Sequence, residues 1–404
     1  MKQKTFALAA SIFVIGLLLV SCSKQDFEDP HTLVVGLGQA PTNLDPRQAT
    51  DAASQRINDL TYNSLVRQGA DLKPTADVAT QWFVDGKRLV FKIRKDITFS
   101  SGRALTPEDV VYSVAEYKKG SSFSAQFGTI ESAEAKGDDT VILKLKNTDA
   151  SLLQNLNLLK ILDRQSPQNP KGSGPFEFVS QDQTQLVLQR AKNHTTTLPK
   201  VSKIVFKFVR DESTRYLKML KGELDALLNE LSEEKVSLLK KADKVDVFVS
   251  PGLNFNYVLL NLRDPSLKIP PFRLALYAAL DREEIIKFKL ENMAQAATSF
   301  LAPTNPWSAR GLSMPNLTLE KAKKVVAERK LVGHEFVLKC SDQAVNNAQL
   351  IAKQLERLGI KVKVQSYEWG TFYNDVKTGN FQMATMRMVG VIDPDVYRDM
   401  LAST

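Results

Sequence analysis

The sequence predicts a mixed α/β protein of two or three lobes, and three observations carry that reading. Stretches that alternate apolar and charged residues interleave with capped, amphipathic stretches of helical period. No repeat period or low-complexity segment runs through them. The chain has 404 residues, more than one hydrophobic core ordinarily organises.

Taken in order, the first element is an export signal. Lys2 and Lys4 precede an apolar run over residues 6–20 that only Ser11 and Gly16 interrupt. The run falls short of the ~20 residues a membrane-spanning helix needs. It ends in Leu19-Val20-Ser21-Cys22, which resembles the bacterial lipobox and implies cleavage before Cys22 and lipidation of its thiol. An ordinary signal or membrane anchor is the competing reading. Residues 1–21 are thus expected to be a signal peptide and 22–30 a lipidated, polar tether.

Beyond the tether, residues 89–95 put Phe91 and Ile93 on one face and Lys92 and Arg94 on the other. Val141, Leu143 and Leu145 alternate with Lys144 and Lys146, and Ile204, Phe206 and Phe208 repeat the period. These are half-buried strands. Thr106-Pro107-Glu108-Asp109 combines an N-cap, a proline at the first helical position and acids in the first turn, which predicts a helix over 107–119. Asp281 caps a helix over 282–290 by the same logic. Ala348, Ile351, Ala352 and Leu355 lie at helical spacing, and Gly359 stops that helix before a strand over 360–366.

Chemistry is sparse in this sequence. With Cys22 lipidated, Cys340 has no partner, so no disulfide is expected. The formal charge of +9 is spread out, as over Lys321, Lys323, Lys324, Arg329 and Lys330; a solvated helix face explains these better than nucleic acid. His31, His194 and His334 are scattered, without neighbours at metal-ligand spacing, so no metal or cofactor is expected. Gly36-Leu37-Gly38 reads as a strand end, because Pro41 stands where a dinucleotide loop needs its third glycine. Gly172-Ser173-Gly174 lacks nucleophile-elbow spacing, and Pro175 blocks the helix that must follow. Catalysis is therefore unsupported, although sequence alone does not pair carboxylates into an acid and a base.

Several motifs in order then resemble the family 5 extracellular solute-binding proteins, which include oligopeptide, dipeptide and nickel binders. Pro41-Thr42-Asn43-Leu44-Asp45-Pro46 matches the family's opening motif, followed by Tyr62-Asn63-Ser64-Leu65 and by Lys73 and Pro74 through Ala79. The densest block is Asp85-Gly86-Lys87, Phe91, Ile93, Arg94, Phe99, Gly102, Leu105, Thr106, Asp109, Val110, Tyr112 and Ser113. Gly172 through Phe176, Gly222 through Ala226 and Pro270-Pro271-Phe272-Arg273 through Ile286 continue the match. The resemblance covers about residues 32–400.

It implies a clamshell like the type II periplasmic binding proteins, with a large lobe, an extra lobe and a closing lobe joined by hinge strands. Residues 31–46 and 171–261 would form lobe I, 47–170 lobe II and 262–404 lobe III. It also implies a monomer that holds an oligopeptide or similar solute and hands it to an ABC permease, without enzymatic activity. By position, Thr50, Asn229, Asn254, Asn256, Tyr257 and Trp369 are the candidate ligand contacts, with Phe123 and Phe127 as further second-lobe candidates. Each has a plainer alternative: a turn for Asn229, a strand aromatic with its hydroxyl at the rim for Tyr257, third-lobe core for Trp369.

Two departures qualify the resemblance. Peptide binders of the family anchor the peptide's amino group on an aspartate, and here Gly390 or Val391 takes that place, with Asp393 and Asp395 nearby as either substitute anchors or caps of the following turn. An ammonium buried without a partner costs several kcal/mol, so a nickel chelate or other non-peptide ligand stays open. Family members also run on past the Asp393-Pro394 segment, so the closing lobe is expected to be incomplete, and a non-binding, truncated lipoprotein is a further reading. A cell-envelope hydrolase would need an Asp, Glu or Ser cluster in the cleft.

Overall fold

A computed structural model describes residues 31–192, 199–309, 311–312, 315–388, 390 and 394. The chain opens with β1 (Thr32–Leu37), whose last four residues are buried, as in a strand covered on both faces. It ends before Gly38, as the glycine pair suggested. α1 (Ala52–Thr61) starts at Asp51, whose carboxylate accepts from the Ser54 amide at 2.9 Å. Ala53 and Ile57 on this helix share a core with Leu37, Phe176, Leu188 and Phe206.

The chain then builds a second core. β2 (Val66–Gln68) and β3 (Pro74–Ala76) form a small ladder, and β4 (Ala79–Asp85) and β5 (Arg88–Ile93) a hairpin. α2 (Pro107–Gly120), β6 (Ile130–Lys136), β7 (Thr140–Leu145) and α3 (Leu152–Asn155) follow. The antiparallel sheet has the order β4-β5-β7-β6, and Phe91, Phe99, Tyr117, Phe127 and Leu143 fill the space beneath it. α2 begins as its sequence predicts: the Asp109 carboxylate reaches back to the Thr106 amide at 2.9 Å.

The chain returns through Gly172-Ser173-Gly174 to the first sheet. β8 (Phe176–Gln181), β9 (Gln185–Arg190), β10 (Lys203–Phe208), α4 (Glu212–Leu220), β11 (Ala226–Leu227) and α5 (Glu233–Leu239) complete that part, with strand order β11-β1-β10-β9-β8. β1 runs parallel to β10 and β11, and β9 is antiparallel to β10 and β8. At the return, a methyl group on Gly174 would lie 2.5 Å from the Leu60 carbonyl oxygen, and the Gly174 amide donates to the Thr61 carbonyl at 2.9 Å. Only glycine allows the returning backbone to lie so close to the end of α1.

Residues 245–254 have no regular secondary structure and lead to a third core. It contains β12 (Phe255–Leu260), α6 (Pro270–Ala279), α7 (Arg282–Phe288), α8 (Leu319–Glu328), β13 (Glu335–Ser341), α9 (Val345–Glu356), β14 (Lys361–Tyr367), α10 (Trp369–Thr378) and β15 (Met383–Met388). The sheet order is β12-β15-β13-β14, and β12 pairs antiparallel with β15 along its full length. Phe272, Phe336, Cys340 and Leu355 lie in its core, and the Cys340 thiol is free and buried. Lys321, Lys323, Lys324, Arg329 and Lys330 are exposed in and just after α8, a solvated face. The helix expected over 282–290 ends at Phe288, because Glu291 and Asn292 adopt left-handed conformations.

Candidate ligand site

The turn before α1 is fastened to the second core. Asp45 pairs with Arg47 at 2.7 Å, and Arg47 continues to Glu116 on α2 at 2.6 Å. The Ser122 amide donates to the Arg47 carbonyl at 2.9 Å, and the Gln48 side chain donates to the Gly120 carbonyl at 2.8 Å. This clamp holds the loop carrying Phe123 beside α1. Between them lies a cavity of about 50 Å³, lined by residues that include Gln55, Asn58, Asp59, Phe123, Asn157 and Lys160.

The polar groups around this cavity are unequally served. Lys160 Nζ donates to Asp59 Oδ1 at 2.7 Å, Ser64 Oγ at 3.0 Å and the Asn157 carbonyl at 3.1 Å, so its three protons are used and its charge is met. Asn58 is 2% exposed, and neither its Oδ1 nor its Nδ2 has a hydrogen-bond partner among the described residues. At the head of the helix, burial pushes the Asp51 carboxyl up, but hydrogen bonds from Ser54 and Thr42 outweigh it and hold the group below its ordinary value.

On the third sheet the site is aromatic. Glu368 caps α10, its carboxylate accepting from the Gly370 amide at 2.7 Å, and buried Phe372 fixes the helix to the core. Trp369 and Tyr373, one turn apart, stack at 5.6 Å and 19° while remaining 52% and 49% exposed. On β12, Phe255 and Tyr257 are two residues apart on one face and stack at 5.7 Å and 21°. Burial raises the Tyr257 phenol, and the Tyr373 phenol adds to the rise. The result is a half-open aromatic surface.

Of the residues singled out in the sequence, Tyr257 belongs to the ring pair on β12 and Trp369 to the pair on α10. Asn256 is exposed, but strand alternation directs it to the opposite face from Tyr257. Asn254 accepts from the amide of Gly390, one of the two candidates for the anchoring position, at 3.1 Å. Thr50 is exposed beside the cavity, and its carbonyl accepts from Gln55 at 3.4 Å. Asn229 is exposed with φ of 58°, the conformation of a turn residue, and Arg56 of α1 holds the groups either side of it, the Leu228 carbonyl at 3.2 Å and Glu230 at 3.1 Å.

Phe123 lines the cavity. Phe127 does not: it is fully buried edge-on to Tyr117 at 5.7 Å, because its turn points inward beneath the second sheet, and it is a core residue. Cys22, Val391, Asp393 and Asp395 lie outside the described residues. Sequence reasoning missed Asn58, Gln55, Lys160 and Tyr373. Only Tyr373 carried a signal, its i,i+4 spacing from Trp369. Among the described residues, no group of three or more His, Cys, Asp or Glu side chains is arranged to hold a metal, and no helix is long and apolar enough to cross a membrane.

Comparisons with known proteins bear on the family and the fold. The chain is similar to the oligopeptide-binding protein AppA of Bacillus subtilis, 24% identical over 96% of this chain and 81% of that one. It is 25% identical to the dipeptide-binding protein of Escherichia coli, over 94% of this chain and 80% of the relative. Among solved structures, DppA from Helicobacter pylori in complex with the peptide STSA superposes with a TM-score of 0.80 at 24% identity, covering 91% of this chain and 80% of that one. NikA from Brucella suis in complex with Fe(III)-EDTA does so with a TM-score of 0.83 at 20% identity, covering 91% and 81%. The family model described as bacterial extracellular solute-binding proteins, family 5 Middle, matches residues 73–404. The chain therefore belongs to the family 5 bacterial extracellular solute-binding proteins, non-catalytic α/β solute binders of ABC transporters.

Proposed function

We propose that this protein captures a small peptide or peptide-like solute in a cleft between its lobes and delivers it to a membrane permease. The observation that carries this reading is the half-exposed, stacked pair of Trp369 and Tyr373. Stacked rings offer a broad apolar wall with polar edges, suited to the side chains of a peptide whose backbone is held elsewhere. In this proposal residues 31–46 and 171–244 form lobe I, 47–170 lobe II, and the sheet containing β12 and β15 the closing lobe. Residues 245–254 act as the hinge. Relatives named for oligopeptide and dipeptide binding support the substrate class.

The test is thermal unfolding with and without a mixed peptide library at high concentration. A peptide at a hundred times its Kd stabilises the native state by about 2.7 kcal/mol. An unchanged midpoint with a cooperative transition sinks the peptide assignment.

A second reading within the same family is a metal chelate, favoured by the absence of a carboxylate at Gly390 or Val391, one of which takes the place of the amine-anchoring aspartate. NikZ from Campylobacter jejuni, solved with Ni(L-His), supports it. Metal analysis of the purified protein separates the two. Lipid attachment at Cys22 is part of the proposal, and release of a Cys22→Ser chain from the membrane fraction is its expected result.

A further inference from the structure

We infer that Arg387, helped by Asn256 and Asn254, binds a carboxylate of the captured solute. This rests on the proposed capture of a peptide-like solute and adds the group that reads its negative charge. Arg387 is the one charged residue of β12 and β15. Antiparallel pairing sets it directly across from Asn256. The next pairs on the same face are Val258 with Thr385 and Leu260 with Met383, and Val258, Leu260 and Met383 pack into the third core. Arg387 and Asn256 stand one step beyond the edge of that core, and both are exposed. β12 begins where the segment 245–254 ends, so the pair lies at the end of the sheet that leads to the proposed hinge.

The groups at this end of the sheet are donors. Arg387 has no ion-pair or side-chain hydrogen-bond partner among the described residues. Two carboxylates flanking this sheet are already committed, Asp264 to Gln382 at 2.9 Å and Asp375 to Lys339 at 2.7 Å. Asn254 accepts from the Gly390 amide at 3.1 Å through Oδ1, which leaves its NH2 group as the free end of the carboxamide. The surrounding charge has the same sign. Residues 255–388 contain 19 Lys and Arg against 12 Asp and Glu, a net +7 of the chain's formal +9, and such a field draws anions. A guanidinium presents N–H donors in one plane that match the two oxygens of a carboxylate, and it repels an ammonium. The solute therefore carries a carboxylate, from either a peptide terminus or an acidic side chain.

The experiment uses the full-length chain and three matched peptides: Ala-Asn-Ala amide as the reference without a carboxylate, Ala-Asn-Ala with its terminal carboxylate free, and Ala-Asp-Ala amide with a side-chain carboxylate. Calorimetric titration gives the Kd of each for wild type, Arg387→Gln and Asn256→Asp. Wild type is expected to bind at least one of the two carboxylate peptides about tenfold more tightly than the reference, and the one favoured identifies the source of the charge. Arg387→Gln should bring the favoured peptide to the level of the reference. Asn256→Asp should do the same by a separate route, because it sets a carboxylate across the ladder from Arg387 and pairs the guanidinium within the protein. Both positions are exposed, so both variants should fold as wild type does. A preference that survives in either variant overturns the inference and leaves the peptide reading standing, as does a wild type that binds all three peptides alike. Failure of wild type to bind any of the three overturns the peptide reading and the inference together.

Discussion

Arg103 is held between two buried carboxylates, Asp109 at 2.5 Å and Asp163 at 2.6 Å, with its guanidinium carbon 4.9 Å from the centre of the Phe99 ring. Arg103→Ala leaves both charges without their cation and is expected to cost about 3–5 kcal/mol in urea unfolding. Burial raises the Asp163 carboxyl, but hydrogen bonds from Ser101 and Arg103 prevail and hold it below its ordinary value. A carboxyl depressed in the folded state stabilises the protein above its unfolded pKa of about 3.9, and that contribution fades as pH falls through the folded value. Urea midpoints measured from pH 6 down to pH 2 should therefore fall more steeply for wild type than for Asp163→Asn. At the surface, Trp369→Ala should alter stability by less than about 1 kcal/mol while weakening solute binding, which titration reads directly. Trp369 was legible because its motif is contiguous. Asn58 was not, since its burial arises only when α1 is covered by a loop from the second core.

Gly174 shows the same contrast among elements. Its Cβ position lies within 2.6 Å of the Thr61 carbonyl carbon and 2.5 Å of the Leu60 carbonyl oxygen, both backbone atoms that no rotamer change can move. Gly174→Ala should destabilise by about 3 kcal/mol, near the upper end of overpacking costs, with Gly120→Ala as a control for open space, and urea midpoints check it. Sequence signals that act within a few residues, such as the cap and proline of α2, placed that helix within one residue of its observed end. Strand pairing was less legible. The resemblance put residues 255–260 with the first lobe, whereas β12 takes its hydrogen bonds from β15, more than 120 residues farther along. Alternation along β12 identifies a strand but does not name its partner.

At the scale of the whole molecule, three cores are joined in different ways. The first and second share α1 and the close return at Gly174, whereas the third is reached through the exposed segment 245–254. Calorimetry should resolve the third core as a separate transition that merges with the rest when solute is bound. Phe248 is 94% exposed in that segment, so limited chymotrypsin digestion should cut there first. The same segment also sets the statistics of closure. In the proposed function this segment tethers the aromatic pair of the third core to the first two, giving a local concentration in the millimolar range, as short flexible linkers provide. Contacts too weak to hold separate molecules together would then suffice for the proposed closure on solute. A chain nicked at Phe248 would forfeit this, and its affinity for solute would fall on dilution where that of the intact chain does not.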